Sequence, residues 1–556
     1  MKIDIKRLGK VSTAFILSIV LVGGCSQSQN HPQEPVTTQE AKEVKYQYNQ
    51  DLNVIDDNYR TYYQVFLYSF CDSNGDGIGD INGLISKLDY LNDGDNKTDT
   101  DLGVNGIWLS PIMPSTTYHK YDVIDYYNID KEYGTLEDFK RLIEECNKRD
   151  IKVIIDLAIN HTSTQNKWFQ EACDYLKSLK KNQEPLVKEC KYYGYYNFKK
   201  NEEKNTYYDV EGAEGWKYEG VFWDQMPDLN LASKPLRKEI EKIADFWLNL
   251  GVGGFRLDAA KEYYSGIPEK NVEVLSWFTD YVKGKNKDNY LVGEVWEGIS
   301  VYAEYYKSGI DSLFDFSFAD QDGHIVKTVK GIGNNTAKSF GEKMIQEQEL
   351  FKEYSKDAIN APFLSNHDLG RTAGFLSYDA TKIKMAWAMN LFTTGSAFLY
   401  YGEELGMSGS GIDENKRAPM YWSTTNQEGM TKGPEAMETV EHEFPPLDEQ
   451  QKDPLSIYNF VKQVIRIRNE NPEIGRGEVT YMEDVTDEDI CAIVKEYNGS
   501  KVSMLYNISQ EEKEVTVSKD IYGYEGIRGY LSTDGTEVTL DGEKVTLPPY
   551  SIVILK

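Results

Sequence analysis

Basic residues are few in this chain relative to acidic ones. Of its 556 residues, 61 are Lys or Arg and 90 are Asp or Glu, so the formal net charge is −29. Such an excess of negative charge repels phosphate backbones and anionic headgroups, which argues against nucleic acid or anionic lipid as the main partner. It says little about a neutral ligand. The 40 Tyr residues suit stacking against flat, hydroxyl-rich molecules.

The apolar run near the N terminus is short. Residues 11–22 follow a basic segment that contains Lys2, Lys6 and Arg7, and they precede a Gly-Gly-Cys sequence. A membrane-spanning helix needs about 20 apolar residues. A basic segment, a short apolar run and small residues in this order indicate an export signal over residues 1–24.

The end of this signal, Leu-Val-Gly-Gly-Cys at 21–25, resembles the bacterial lipobox. The resemblance implies cleavage before Cys25 and attachment of lipid to its sulfur. The protein would then be extracytoplasmic, lipid-anchored to the bacterial cell membrane or cell surface. The alternative is an ordinary secretory signal with a chance cysteine. Residues 25–45 are polar and are predicted to form a flexible tether.

Cysteine is scarce. The chain has six, and none lies in a C-x-x-C pattern typical of metal sites. The five beyond Cys25 are an odd number for an exported chain. Cys173 and Cys190 could form a disulfide, and the sequence leaves this open.

From residue 63 onward, short apolar runs alternate with amphipathic, helical segments. The predicted strands cover 63–70, 106–109, 152–156, 254–257, 290–293, 313–316, 361–364 and 397–401, and the clearest helices cover 136–148, 234–250, 272–282 and 381–392. Eight buried strands alternating with helices predict an α/β fold, a parallel (β/α)₈ TIM barrel. Its chemistry would lie at the C-terminal ends of the strands.

Two segments depart from a simple barrel. Residues 162–227, after the third strand, are too long for an ordinary loop and predict an inserted lobe that overhangs the site. After residue 473 the pattern changes to short alternating segments with turns, which predicts a C-terminal antiparallel β domain over 473–556. The catalytic barrel would then comprise residues 46–161 and 228–472. No internal repeat is evident.

Polar residues collect at four predicted strand ends. The third strand leads to Asn160-His161, the fourth carries Arg256 and Asp258, the fifth leads to Glu294, and the seventh leads to His367-Asp368. Arg256 and Asp258 are two residues apart, so on a strand they point to the same face. An isolated pair of this kind would be a structural ion pair. Four polar ends at one barrel mouth instead predict an active site.

Two carboxylates at such a mouth can perform retaining glycoside hydrolysis. One attacks the anomeric carbon, and the other protonates the leaving oxygen and then activates water. This chemistry requires one carboxylate that is ionised and another that is protonated. Arg256 beside Asp258 favours an ionised group, and partial desolvation of Glu294 would favour a protonated one.

The segments 156–161, 254–261, 293–296 and 363–368 resemble the four signature segments of the α-amylase family of glycoside hydrolases. They occur in the family's order, and the resemblance extends from about residue 63 to the C terminus. It implies that Asp258 is the nucleophile, that Glu294 is the general acid/base, and that Asp368 binds the hydroxyl groups of the distorted sugar.

The same resemblance implies the substrate contacts. Arg256 would hold the nucleophile, and His161 and His367 would bind sugar hydroxyls at the cleavage site. Lys261 would reach the sugar on the leaving side. Segment 226–230, which follows the lobe, resembles one in the branch intermediate between oligo-1,6-glucosidases and neopullulanases.

Residues 118–122, Tyr-His-Lys-Tyr-Asp, resemble the family's aromatic platform. Tyr121 would stack on the sugar before the scissile bond, and Asp122 would lie among the substrate-binding residues. Relatives that release single glucose units carry an Asp at the position of Tyr118, and it pairs with an arginine that matches Arg417. That acid is absent here. An open cleft and internal cleavage are therefore expected.

A loop after the first strand indicates calcium. The sequence Asp-Ser-Asn-Gly-Asp-Gly-Ile-Gly-Asp at 72–80 places oxygen side chains at alternate positions, as calcium loops do. Its expected ligands are Asp72, Asn74, Asp76, the Ile78 carbonyl and Asp80. The alternative is an acidic loop without metal. Relatives in the oligo-1,6-glucosidase branch bind calcium at this loop.

A second family calcium site is less expected. It uses the residue matching Asn160 and the backbone of a histidine that is Glu262 in this chain. We therefore expect one calcium, at loop 72–80.

We expect a monomeric endo-hydrolase of α-1,4-glucosidic bonds in starch, glycogen or maltooligosaccharides. The alternatives are an α-glucosidase, a neopullulanase or a glucan transglycosylase of the same family. A non-catalytic surface glycan-binding protein is a further alternative, against which the intact carboxylates argue.

Overall fold

The computed structural model describes residue 55, residues 57–180 and residues 183–556. The export signal, the tether and Cys25 lie outside these residues. Within the described part of the chain, no helix is long and apolar enough to cross a membrane. The five cysteines beyond Cys25 are free thiols in the structure, so the disulfide considered for Cys173 and Cys190 is not formed.

Eight parallel strands form the central sheet. In chain order they are Thr61–Val65, Gly106–Leu109, Lys152–Leu157, Gly254–Leu257, Tyr290–Gly293, Ser312–Phe314, Ile359–Ala361 and Ala397–Tyr400. Each of the first six strands pairs with the next, and the first also pairs with the eighth. Backbone hydrogen bonds from Ser396 to Asn360 (2.8 Å) and from Phe398 to Pro362 (2.9 Å) bring the eighth strand against the seventh. The sheet is a nearly closed barrel, as predicted.

Three predicted strands are displaced. The sixth ends at Phe314 rather than at residue 316. The first ends at Val65 rather than at residue 70, because the chain turns into a 3₁₀ helix at Leu67–Ser69. The seventh ends at Ala361 rather than at residue 364. The next residue is Pro362, which has no N–H to continue the ladder.

Helices cover the outside of the barrel. Outside the lobe, the α-helices of six residues or more in the described part of the chain are Ile81–Ser86, Leu136–Asn147, Lys234–Asn249, Pro268–Lys285, His324–Lys330, Ala337–Tyr354, Ala380–Leu391 and Ile457–Glu470. Aromatic side chains that point inward fill the barrel, and Tyr62 stacks between Tyr290 and Phe398 at ring distances of 5.2 and 5.0 Å. The next residue, Tyr63, packs in the outer core, as the alternation of a strand requires.

A lobe follows the third barrel strand. It contains the helix Lys167–Ser178 and a small antiparallel sheet of Phe198–Lys200, Trp216–Glu219 and Tyr207–Asp209. Isolated bridges from His161 to Asp228 and from Tyr196 to Leu229 join the lobe to the barrel. The lobe therefore begins and ends beside the third strand, at the mouth of the barrel.

The C-terminal domain consists of two antiparallel sheets, as expected. The larger has the strand order Glu478–Tyr481, Ile490–Tyr497, Ser500–Asn507, Ser551–Leu555 and Ile527–Ser532, and the smaller has Lys513–Thr516, Lys544–Leu547 and Thr539–Asp541. Buried Lys495 of this domain donates hydrogen bonds to the carbonyls of Phe392 (2.6 Å) and Ile474 (2.8 Å). The domain is thus fastened to the base of the eighth strand.

Candidate active site

The fourth barrel strand carries the central cation of the site. Arg256 is 1% exposed. Its Nη1 lies 2.6 Å from Oδ1 of Asp258, and its Nη2 lies 3.1 Å from Oε2 of Glu294. One guanidinium therefore holds the carboxylates at the ends of two neighbouring strands.

Backbone geometry brings the two strands together at their starts and their ends. Gly254 has φ 147°, and a Cβ there would lie 1.8 Å from the carbonyl oxygen of Tyr290 on the fifth strand. Directly after Asp258, Ala259 adopts a left-handed conformation with φ 46°. Its N–H then donates to Oε2 of Glu294 at 3.0 Å. Left-handed backbone at a non-glycine residue is strained and concentrates at functional sites.

A third carboxylate shares the same guanidinium. Both oxygens of Asp156, on the third strand, lie 2.9 and 3.0 Å from Nη1 of Arg256. The Tyr121 hydroxyl also donates to Asp156 at 3.0 Å and lies 2.6 Å from Nε2 of His367. Tyr121 and His367 stack at 5.5 Å with their planes 10° apart. The predicted platform tyrosine is thus held by three barrel strands.

The seventh strand contributes His367 and Asp368. Gln64 Nε2 lies 2.8 Å from His367 Nδ1, and His367 Nε2 lies 3.1 Å from Oδ2 of Asp368. The other oxygen, Oδ1, accepts from Nη2 of Arg417 at 3.0 Å. Arg417 Nη1 is 3.3 Å from the Tyr118 hydroxyl. Asp368 therefore lies between a histidine and an arginine on one side of the cleft.

The remaining predicted contacts lie on the other side. His161 is buried under Phe222 of the lobe, with ring centroids 5.2 Å apart, and its Nε2 has no hydrogen-bond partner. Lys261 reaches the Glu297 carboxylate and the Trp296 carbonyl, both at 3.1 Å. The structure brings both residues to the cavity that contains Asp258 and Glu294.

Asp122 does not face the cleft, which corrects its placement among the substrate-binding residues. It is fully buried. Its carboxylate accepts hydrogen bonds from the hydroxyls of Ser115, Thr116 and Thr117. Asp122 closes the turn that carries Tyr121, and it has no free path to a sugar.

The cavity over the carboxylates has a volume of about 560 Å³ and continues into a groove of about 1310 Å³. His119, Trp223 and Asp413 line both. We call the larger space the distal groove. It runs past Tyr68 and Tyr118, away from Lys261.

Three exposed aromatic residues were missed by sequence reasoning. Phe222 and Trp223 at the lobe and Trp296 after the fifth strand are 49%, 40% and 45% exposed, yet all three line the cavity. Trp296 is held by stacking on Phe316 at 5.4 Å. The available signal was the position of Trp296, two residues after Glu294.

Known proteins share this architecture. The family model described as alpha amylase, catalytic domain, matches residues 64–477.

The chain belongs to the alpha-amylase family.

Sequence similarity to relatives extends over most of the chain. Alpha-amylase 3 of Dictyoglomus thermophilum is 36% identical over 499 residues, which cover 89% of this chain and 92% of that protein. The structure of Amy13B from Eubacterium rectale is 48% identical, has a TM-score of 0.86, and covers 91% of this chain and 97% of its own. A 4-alpha-glucanotransferase of Thermotoga maritima is 29% identical over 468 residues, 81% of this chain and 96% of that protein. The protein is therefore a glycoside hydrolase or transglycosylase of the alpha-amylase family.

The predicted calcium loop has the expected oxygen chemistry. In the structure Asp72 accepts from the N–H groups of Gly75 and Gly77, both at 2.7 Å. Asp80 accepts from Ser73 at 2.8 Å and caps the following helix at Gly83. Among the described residues, no group of three or more Asp, Glu, His or Cys side chains converges as a ligand set. The donor types fit calcium, while the loop's own N–H groups hold its carboxylates.

Asn160 and Glu262 both lie near Asp228. Asn160 Nδ2 is 3.4 Å from Oδ1 of Asp228. Burial raises the pKa of Asp228 to about 8, and the negative charges of Glu219 and Glu262 add to this, against a hydrogen bond from Val221. These contacts lie at the joint between the barrel and the lobe.

The carboxylates at the barrel mouth differ in pKa. Burial raises the pKa of Glu294 to about 7, and the charges of Asp258 and Asp368 reinforce the shift against Arg256. Burial opposes ionisation of Asp368 as well, but hydrogen-bonded His367 and the cations Arg417 and Arg256 outweigh it and lower its pKa. The pKa values of Glu294 and Asp368 are therefore shifted in opposite directions. Acid/base chemistry requires such a difference between neighbouring carboxyl groups.

Asp156 competes with Glu294 for the proton. Burial raises the pKa of Asp156 to about 7 as well, against the opposing charge of Arg256. Arg256 and the Tyr121 hydroxyl both donate to Asp156. Asp156 accepts three such bonds, whereas Glu294 accepts one from the N–H of Ala259 and contacts Arg256 at one oxygen. Because hydrogen bonds donated to a carboxylate favour its charged form, we assign the retained proton to Glu294.

Proposed function

We propose that the protein is a retaining, endo-acting α-amylase that hydrolyses α-1,4-glucosidic bonds in starch, glycogen or maltooligosaccharides. The observation that carries the proposal is the continuity of the carboxylate cavity with the distal groove through His119, Trp223 and Asp413. A chain that extends in both directions from the carboxylates fits such a cleft. A site for single terminal glucose units would be closed there.

In this mechanism Asp258 attacks the anomeric carbon and Glu294 protonates the leaving oxygen. Arg256, 2.6 Å from Asp258, supplies the counter-charge to the nucleophile. After the leaving group departs, Glu294 takes a proton from a water molecule, the water oxygen bonds to the anomeric carbon, and the bond between the sugar and the Asp258 carboxylate breaks. Asp368, tied to His367 and Arg417, would bind sugar hydroxyls and stabilise the positive charge of the transition state.

Glucan transfer is the second candidate. The name of the Thermotoga maritima relative, a 4-alpha-glucanotransferase, favours it, as does the exposed ring of Trp296 beside Glu294. In transfer a sugar hydroxyl takes the place of water in the second step. Product analysis distinguishes the two reactions.

We also propose that loop 72–80 binds calcium and that Cys25 carries a lipid anchor. The oxygen donors of the loop and its two left-handed glycines, Gly75 and Gly77, support the first proposal. The basic segment, apolar run and Gly-Gly-Cys sequence support the second. Neither is needed for the assignment of the carboxylates.

The cleavage pattern is the first prediction. Purified protein that lacks the residues before Asn30 should release a spread of maltooligosaccharides from amylose, with little action on pullulan or isomaltose. Asp258→Asn should abolish the release and serves as the negative control. Tyr118→Asp should shift the products of short substrates towards glucose, because a carboxylate beside Arg417 would narrow the passage to the distal groove. Glucose as the sole initial product of the unmutated protein would contradict internal cleavage.

The pH dependence is the second prediction. Because the folded pKa of Glu294 is raised to about 7, the acid form is present below that pH and is lost as pH rises through it. We therefore expect kcat/KM for maltoheptaose to fall above about pH 7.

The control for this pH prediction is α-maltosyl fluoride, whose leaving group needs little protonation. Its profile should be flat over the same range. A basic limb that is equal for both substrates would assign the titration to another group, such as Asp156.

Calcium removal is the third prediction. A ligand that binds only the folded state raises stability by mass action, so EDTA should lower the Tm and added calcium should restore it. Asp72→Asn should abolish the response, whereas Asp95→Asn, on another acidic loop, should keep it. A Tm that chelation leaves unchanged would refute calcium binding at this loop.

Membrane anchoring is the fourth prediction. In a bacterial host the full chain should take up labelled palmitate and sediment with membranes, and Cys25→Ser should abolish both. Cys190→Ser is the matched control, because this partly exposed thiol is not at the cleavage site. A full chain that takes up no palmitate and is released from the membrane would show that the segment is an ordinary signal, and equal membrane association of the Cys25 variant would refute anchoring through this cysteine.

A further inference from the structure

Lys120 occupies a backbone conformation that lysine rarely adopts. Its φ is 63°, in the left-handed region that favours glycine. The residue is also almost fully buried, with 3% of its surface exposed. A charged side chain in this position requires both a reason for the backbone and partners for the ammonium group.

Two carboxylates provide the partners. Nζ of Lys120 lies 3.0 Å from Oδ2 of Asp130 and 2.5 Å from Oε2 of Glu132. It also lies 5.3 Å from the centroid of the Tyr133 ring. Asp130 is itself tied to the same turn, because it accepts from the N–H of Ser115 at 3.2 Å. The ammonium group thus fastens the turn at 115–122 to the segment at 130–133.

The turn carries cleft residues on both sides of Lys120. His119, the residue before it, lines the cavity and the distal groove. Its Nδ1 accepts from the N–H of Tyr121 at 3.2 Å and lies 3.1 Å from the Thr117 hydroxyl. Tyr121, the residue after it, stacks on His367. Any rotation of the backbone at Lys120 would move both rings.

The hydrogen bonds inside the turn at 115–122 do not fix its orientation relative to the rest of the protein. Asp122 gathers the hydroxyls of Ser115, Thr116 and Thr117, which closes the turn on itself. Asp130 and Lys120 supply links from the turn to the neighbouring segment. Of these, the Lys120 link is the one that lies between the two cleft rings.

We propose that Lys120 is a positioning residue whose ion pairs with Asp130 and Glu132 hold the strained turn so that Tyr121 and His119 face the substrate. The inference rests on the proposed role of Tyr121 as a sugar platform. Lys120 lies at the wall of the distal groove and does not line the cavity over the reacting carboxylates.

Two substitutions separate the ion pairs from the backbone conformation. Lys120→Met keeps the length of the side chain and removes its charge. Lys120→Gly removes the anchor as well but relieves the left-handed strain. A displacement of about 1 Å at a catalytic site can cost about 100-fold, so we expect both variants to lower kcat/KM for maltoheptaose by about that factor. Lys120→Arg, which keeps the charge, should recover most of the loss.

Lys283→Met is the matched control. Lys283 is also a largely buried lysine, with Nζ 2.5 Å from Asp311, but it lies at the opposite end of the barrel. This variant should lower the Tm while kcat/KM stays within about twofold of the unmutated value. If Lys120 contributed only to stability, its variants would likewise lower the Tm and leave kcat/KM nearly unchanged.

A Lys120→Gly variant with unchanged kcat/KM would overturn the inference, because the lysine would then be only tolerated at a glycine-like position. Should Lys120→Met fail to fold, Glu132→Gln removes one partner at a half-exposed site, and a smaller loss of kcat/KM is expected. Full activity of both single variants, Glu132→Gln and Lys120→Gly, would also overturn the inference. Failure of the unmutated protein to cleave maltoheptaose would instead refute the proposed function.

Discussion

A single buried guanidinium organises the mouth of this barrel. Arg256 contacts Asp156, Asp258 and Glu294, one carboxylate from each of three adjacent strands. Three acidic groups at such close range would otherwise repel one another and take up protons. Removal of the cation would leave buried charges without compensation, which costs several kcal/mol in other proteins, about 3–5. The rings of Trp108 and Tyr121, 5.3 and 5.8 Å away, complete its surroundings.

The barrel supplies the distances that this arrangement needs. Adjacent parallel strands place the side chains at their ends within reach of one cation. Gly254 permits the close approach of the fourth and fifth strands. Ala259 then turns the chain in a left-handed conformation, so that its N–H meets Glu294. The strain at Ala259 is offset by contacts that also align the carboxylates.

The two ends of the cleft differ in charge and shape. On the side of the distal groove, Arg417 and Lys416 bind Asp368 and its carbonyl, and acidic residues such as Asp413 and Glu414 line the groove. On the other side, Lys261 is the nearest cation, and exposed Phe222 and Trp296 supply apolar surface. Neutral sugars fit such a mixture of stacking rings and polar donors.

The sequence by itself determined the barrel and the C-terminal β domain, and it indicated that the polar residues at the strand ends lie in one site. This was possible because the spacing of apolar residues and the positions of strand ends can be recognised locally along the chain. Five of the eight strands differ from prediction by no more than one residue at either end, while Pro362 and the turn at Leu67–Ser69 shift the seventh and first.

Only the tertiary structure decided those properties of a residue that depend on neighbours distant in the sequence. Asp122 reads as a polar site residue, yet three hydroxyls bury it. The sequence assigned Lys120 no role, yet Asp130 and Glu132 enclose its charge. The raised pKa of Glu294 and the continuity of the cleft arise only when separate strands and the lobe meet, because burial and electrostatic fields are properties of the assembled fold.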